Sequence, residues 1–183
     1  MKQKRKTGLQ FIKNFKETGA FKETSRKVEL EICQRIPTVK DVIVVEFGMG
    51  HGNITREILA TISEGSKLYA FEVVDEFCEH VKETIKDDRL IIINDGAENL
   101  KKHISEPIDS VISSIPFSFF SEEKGSTIIK HAHDQLNDQS TYSQVLLTKF
   151  NFKKFQAVFE ECEMVKLQGF PKEYIYHCRK EMS

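Results

Sequence analysis

A chain of 183 residues with 39% hydrophobic and 30% charged residues has the length and composition of one domain with a full core; it contains no repeat or low-complexity segment. Its longest apolar runs, VIVV at 42–45 and LIII at 90–93, are strand length, and no hydrophobic run of the signal-peptide kind follows the basic N-terminus, so a cytoplasmic protein is expected. The net charge of −1 excludes a uniformly basic or acidic protein but conceals an asymmetry: residues 1–27 carry nine Lys/Arg against Glu17 and Glu23, and the rest of the chain is acidic.

That basic segment comes first in chain order. Within it Leu9, Phe11, Ile12, Phe15 and Phe21 interleave with Lys13, Lys16 and Lys22, the composition of a helix that lies at an interface. Charge alone does not choose among an anionic membrane, a nucleic acid and an acidic surface of the same protein, over which the arm would act as a lid. Next, TSRKVELEICQRIP offers Thr24 or Ser25 as an N-cap, Val28, Ile32 and Ile36 on one face, and Pro37 as a stop. The segment 1–36 is therefore read as a helical arm on a single domain spanning 1–183.

A strand and helix alternation follows. Strands are predicted at 41–47, 67–73, 89–94, 108–115 and 141–149, with helical spacing in Ile54, Ile58, Ile62 and in Phe77, Val81, Ile85 between them. Such alternation implies a mostly parallel α/β sheet with helices on both faces. A short helix over 151–161 and two strand-like runs around a Gly-Phe-Pro turn close the chain, which adds an antiparallel C-terminal strand. The four cysteines, Cys33, Cys78, Cys162 and Cys178, are widely spaced, with no C-x-x-C pair and no histidine at ligand spacing, so free and mostly buried thiols and no metal site are expected.

In an open α/β sheet, ligands bind beyond the carboxyl ends of the strands. The first such end reads VIVVEFGMGHGN, with Gly48, Gly50 and Gly52 at every second position and Glu46 two residues ahead. Glycines so placed let the backbone turn sharply and approach a ligand. A dinucleotide fingerprint starting at Gly48 would need its third glycine at Asn53, so the pattern is a different one. Asn53 is predicted to cap the helix that follows. Glu72, at the second strand end and 20 residues beyond Gly52, offers two carboxylate oxygens to a ribose diol. At the third, Asp95 beside the small Gly96 and Ala97 suits an adenine, with a carboxylate for its amino group and room for its ring. The spacing implies a nucleoside-containing ligand.

Together, VVEFGMGHGNITREIL, AFEVVDEFC and INDGAENL resemble the nucleoside-binding motifs of class I S-adenosylmethionine-dependent methyltransferases. FIKNFKETGA, VISSIPFSFF and GFPKEYIYHCRK are similar to segments of the bacterial phospholipid N-methyltransferase family, relatives of the rRNA adenine dimethylases. The resemblance implies a Rossmann-like methyltransferase sheet and S-adenosyl-L-methionine as cofactor. It assigns Glu46, Gly48, Gly50, Gly52 and Asn53 to the amino-acid end of that cofactor, Glu72 and Val73 to its ribose, and Asp95, Gly96 and Ala97 to its adenine, with Ser113 beside them. The chain departs from the family with Met49 and His51 inside the glycine loop and with Lys172 in the C-terminal turn.

The fourth strand end, SSIPFSFF, aligns with the N-[IL]-P-[YF] segment of amino-group methyltransferases, which places Ser114, Ile115, Pro116 and Phe117 at the reacting amine. Serine in place of asparagine removes an amide oxygen suited to a planar adenine amine, while its hydroxyl still accepts from an aliphatic amine. The expected activity is thus methylation of a phospholipid amine such as phosphatidylethanolamine, with the arm on an anionic membrane surface at the cytoplasmic face. Three alternatives stay open: adenine methylation in RNA, methylation of a soluble amine, and cofactor binding without catalysis. Against RNA, the rRNA dimethylases carry a further C-terminal helical domain, whereas this sequence stops just after its last strand.

Overall fold

The computed structural model describes residues 24–169 and 172–182. Residues 1–23, which hold most of the basic arm, lie outside the described residues. The helix expected at its end is present as α1, Arg26–Cys33, with the Ser25 hydroxyl accepting from the Val28 N–H at 3.4 Å. Val28, Ile32 and Ile36 are all buried, so this helix is a layer of the domain.

The remaining elements alternate as anticipated: β1 Ile43–Phe47, α2 Asn53–Thr61, β2 Lys67–Phe71, α3 Asp75–Thr84, β3 Leu90–Ile93, α4 Leu100–His103, β4 Ile108–Ser113, α5 Glu122–Gln135 and β5 Leu136–Leu146. The chain then forms α6 Phe152–Gln156, β6 Glu161–Leu167 and β7 Glu173–Arg179. Strand β5 starts five residues ahead of its predicted position and ends at Leu146; Gln139, at φ 65°, kinks its early part. The predicted helix over 151–161 shortens to α6, because the chain enters β6 at Glu161.

Seven strands make one sheet in the order β3-β2-β1-β4-β5-β7-β6. Strands β1 to β5 pair in parallel, and β7 runs antiparallel between β5 and β6. The first connection runs outward from β1 to β2 and β3, and the chain then crosses back to β4 on the other side of β1. That reversal is the topological switch point, which opens a crevice above the carboxyl ends of β1 and β4.

Side-chain alternation sorts the core by face. Val45, Phe47, Tyr69, Phe71, Val111, Tyr142 and Tyr176 point to one side, where Leu100, Ile128, Ile129, Phe155 and Phe159 cover them. Val44, Leu68, Ile112, Val145 and Ile175 point to the other, under α1 and α2. Both faces are therefore closed by helices, as a parallel sheet of near-continuous apolar strands requires. Among the described residues, no helix is long and apolar enough to cross a membrane.

One expectation fails in the C-terminal hairpin. Cys33 and Cys78 are buried and free, but Cys162 and Cys178 are register partners across β6 and β7 and are joined as a disulfide. Their separation of 16 residues in sequence shows no motif; the antiparallel register alone brings the two sulfurs together.

Candidate functional site

The four strand ends that the sequence nominates are level with one another. Phe47 pairs with Phe71 and Ser113, and Phe71 pairs with Ile93, so residues 48, 72, 94 and 114 leave the sheet side by side. The ladder continues one step into the loops: Gly48 N–H donates to Phe71 O at 2.8 Å, Glu72 N–H to Ile93 O at 3.0 Å, and Ser114 N–H to Phe47 O at 2.9 Å. Loops held this way leave the sheet in fixed directions.

Gly48, Gly50 and Gly52 all adopt positive φ, at 81°, 51° and 84°. A side chain at any of them would be strained by roughly 1–2 kcal/mol. Gly48 has a second reason: a Cβ there would lie 2.8 Å from the Ile115 side chain. At Gly50 a Cβ would meet nothing within 4 Å among the described residues, so among them the glycine leaves open the space in front of the loop. Gly52, and not Asn53, occupies the N-cap of α2, and as a glycine it makes no side-chain cap hydrogen bond. The predicted Asn53 cap fails because the left-handed turn begins the helix one residue earlier; Asn53 is its first residue, at the loop's edge.

Glu46 is buried on the α2 side of β1, where Thr55 Oγ1 donates to its Oε2 at 2.7 Å. Its Oε1 is buried with no hydrogen-bond partner among the described residues. Burial pushes this carboxyl up to about 8, against the Thr55 hydrogen bond, and the nearby Glu72 charge adds to the rise. Glu72 is also raised by burial, but three main-chain donors oppose it. Its Oε2 accepts from Gly50 N–H at 3.1 Å, and its Oε1 from Val73 and Val74 N–H at 2.8 and 3.0 Å. The expected ribose acceptor thus also ties the glycine loop to the start of α3, with lone-pair capacity left for a further donor. The Val73 side chain stands exposed at the rim.

Asp95 is more engaged than its expected role needs. Its Oδ1 accepts from Gly96 N–H at 2.8 Å and Asn99 Nδ2 at 2.9 Å, and His103 Nε2 lies 2.9 Å from its Oδ2. Ala97 is buried at the start of a 3₁₀ turn, Ala97–Asn99. Asn94 supports the loop by donating to Glu72 O at 3.1 Å. His51 meets Phe77 edge-on at 4.6 Å beside the glycine loop.

At the fourth end, Ser114 Oγ donates to Gly48 O at 2.7 Å, and Ile115 and Pro116 are half-buried behind it. Ser113 is fully buried inside β4. Phe117, expected at the reacting amine, is buried in the structure. Its ring is 2% exposed and packs edge-on against Phe155 at 5.3 Å and Phe120 at 5.9 Å. Phe117 begins the 3₁₀ turn Phe117–Phe119, and its ring joins the core cluster that holds Phe155. Phe120 already has Lys124 Nζ 5.1 Å from its ring centroid.

Thr55, Asn94 and Gln144 are site-shaping residues that spacing does not single out. The last directly precedes the apolar run VLL at 145–147. Among the described residues, no cluster of three His, Cys, Asp or Glu side chains is placed to hold a metal.

Solved structures share the overall fold that this strand order builds. A precorrin-6y C5,15-methyltransferase from Geobacter metallireducens superposes with a TM-score of 0.74 at 13% identity, covering 87% of this chain and 90% of that one. The chain has the class I methyltransferase fold. The N-methyltransferase NodS from Bradyrhizobium japonicum, solved with S-adenosyl-L-homocysteine, shares that fold with a TM-score of 0.70 at 11% identity, over 86% of this chain and 87% of its own. In sequence, the chain is 26% identical over 141 residues to an uncharacterised methyltransferase of Geobacillus sp. (strain WCH70), covering 76% of this chain. It spans about three fifths of that relative's length, 62%. No protein-family model matches the chain.

Proposed function

We propose that this protein is an S-adenosylmethionine-dependent N-methyltransferase whose acceptor is the amine of a phospholipid headgroup such as phosphatidylethanolamine, acting at the cytoplasmic face of a membrane. The observation that carries the reading is the contact between Ser114 Oγ and Gly48 O at 2.7 Å. It joins the loop that resembles an amino-group acceptor site to the loop that resembles a cofactor site.

The cofactor fits the residues present. The unpartnered Glu46 Oε1 suits an amino group, Gly50 leaves room for close main-chain approach, and Glu72 retains acceptor capacity for a ribose. When bound, S-adenosylmethionine supplies a methyl group already activated by its sulfonium. What this chain must add is orientation, which supplies up to about 7–11 kcal/mol in favourable cases. Ser114 has its hydroxyl proton committed to Gly48 O, so toward the crevice it offers only lone pairs. An acceptor-only oxygen suits an N–H of a primary or secondary amine and holds its nitrogen lone pair toward the methyl group.

The basic arm gives the lipid reading its second support. Each Lys or Arg near an anionic bilayer contributes about 1 kcal/mol, enough together for reversible docking. The test is transfer of labelled methyl groups to vesicles of phosphatidylethanolamine with an anionic lipid, run beside ribosomal RNA and free ethanolamine. Label in the lipid phase is expected. Label only in RNA or free ethanolamine would replace the acceptor, and cofactor binding with no transfer to any of the three would replace the enzyme by a binding protein. Deleting residues 1–22 should abolish vesicle binding and leave cofactor affinity intact; unchanged vesicle binding would end the docking role.

A further inference from the structure

We infer that Gln144 is a positioning residue for methyl transfer, holding the acceptor loop from inside the sheet; the inference rests on the methyl-transfer reading above. Gln144 is fully buried on β5, in register with Ser113 at the end of β4. Its Nε2 donates to Ile115 O at 3.1 Å and to Val145 O at 2.9 Å. Two carbonyl partners leave no choice about which end of the amide faces them, since only the NH₂ group donates. Its Oε1 in turn accepts from the Tyr142 hydroxyl at 3.4 Å. The amide is thus fixed at both ends.

What makes this more than core satisfaction is where the Ile115 carbonyl lies. Strand β4 ends at Ser113, between β1 and β5 in the sheet. From the β1 side, Ser114 is held by its N–H on Phe47 O and its hydroxyl on Gly48 O. From the β5 side, the next carbonyl is held by Gln144. The acceptor loop is clamped by both neighbouring strands, and the β5 half of the clamp is a side chain with no path to solvent. A polar amide on a sheet face shared with Tyr142, Leu146 and Tyr176 is costly to desolvate, and an apolar residue would fill the space for folding alone. Its hydrogen bond to Ile115 O fixes the Ile115–Pro116 peptide, one residue beyond Ser114, in the loop where a displacement near 1 Å costs on the order of 100-fold in rate.

The test uses the full chain with Gln144→Met, close in volume but without the two N–H donors. Three quantities are measured: S-adenosylhomocysteine affinity by calorimetry, hydrogen exchange over residues 113–117, and steady-state methyl transfer to phosphatidylethanolamine vesicles. The expected result is a 10- to 100-fold fall in kcat with KM and cofactor affinity within twofold, and exchange at Ser114 at least tenfold faster. Should Gln144→Met not fold, Gln144→Asn, which keeps the amide but shortens its reach, carries the same expectation. An unchanged kcat overturns the inference, as does a loss shared equally by kcat, KM and cofactor affinity. If the wild-type protein methylates no lipid, the acceptor assignment fails separately and the exchange decides Gln144: faster exchange at Ser114 supports the clamp, and unchanged exchange overturns it.

Discussion

The Ser114 hydroxyl donates to the Gly48 carbonyl at 2.7 Å, across 66 residues of sequence, and so latches the loop after β4 to the loop after β1. Two segments with different expected partners thereby share one hydrogen bond. Ser114→Ala removes the donor and the acceptor lone pairs together. Turnover is expected to fall about tenfold or more, with a stability loss of about 1 kcal/mol, the usual size for one hydrogen bond. Methyl-transfer kinetics beside a denaturant titration check both; unchanged turnover would remove Ser114 from the acceptor site.

The glycine loop separates backbone strain from crowding. Gly48→Ala faces both a φ of 81° and a Cβ 2.8 Å from Ile115, whereas Gly50→Ala faces only a φ of 51°. Gly48→Ala is therefore expected to destabilise the fold by more than the roughly 1–2 kcal/mol set by backbone strain, and Gly50→Ala by about that amount. Both should weaken S-adenosylhomocysteine binding, Gly50→Ala by filling the space before the loop. Melting temperatures and calorimetric titration give the two orders.

Glu46 makes stability depend on pH with a definite sign. Its carboxyl is raised to about 8 in the folded protein from an ordinary value near 4.5. Between those values the unfolded chain releases a proton that the folded chain keeps, so stability declines as pH rises, by up to about 1.4 kcal/mol per pH unit. Glu46→Gln removes this slope. Denaturant midpoints at pH 5 and pH 8 should show the wild type losing more stability than the variant, by about 2–4 kcal/mol. Parallel behaviour of the two proteins would mean that Glu46 is ionised in the fold.

The Cys162–Cys178 pair predicts a thiol count. Alkylation of the oxidised protein in denaturant without reductant should label Cys33 and Cys78 alone, and reduction should expose all four cysteines. Four adducts without reductant would show that the pair is open. Cys178→Ala in the oxidised protein is expected to cost about 3 kcal/mol, the scale for closing a loop of this length.

Much of the fold was legible because its signals are local. Apolar runs and helical spacing lie within a dozen residues, and they located the strands and four of the six described helices, with β5 and α6 each off by five residues at one end. The turn at Gly48, Gly50 and Gly52, and the acids at Glu46, Glu72 and Asp95, were equally visible, since the backbone geometry of a tight turn restricts which residue types can occupy it. Composition also shows the basic character of residues 1–27, of which 1–23 lie outside the described structure.

Other features depend on which segments meet. Phe117 reads as a crevice residue in SSIPFSFF, but a 3₁₀ turn sends its ring to Phe155, 38 residues later. Asn53 reads as a cap, but the φ of 84° at Gly52 starts the helix one residue sooner. Cys162 meets Cys178 only because β7 returns antiparallel between β5 and β6, and Gln144 reaches Ile115 only because β5 lies beside β4. The sequence by itself determined the strands, the glycine turn and the chemical character of the strand ends, since short-range sterics and side-chain alternation act within each segment. Tertiary structure alone decided the partners of those residues, because sheet order and register bring together atoms separated by tens of residues, and no local pattern encodes that pairing.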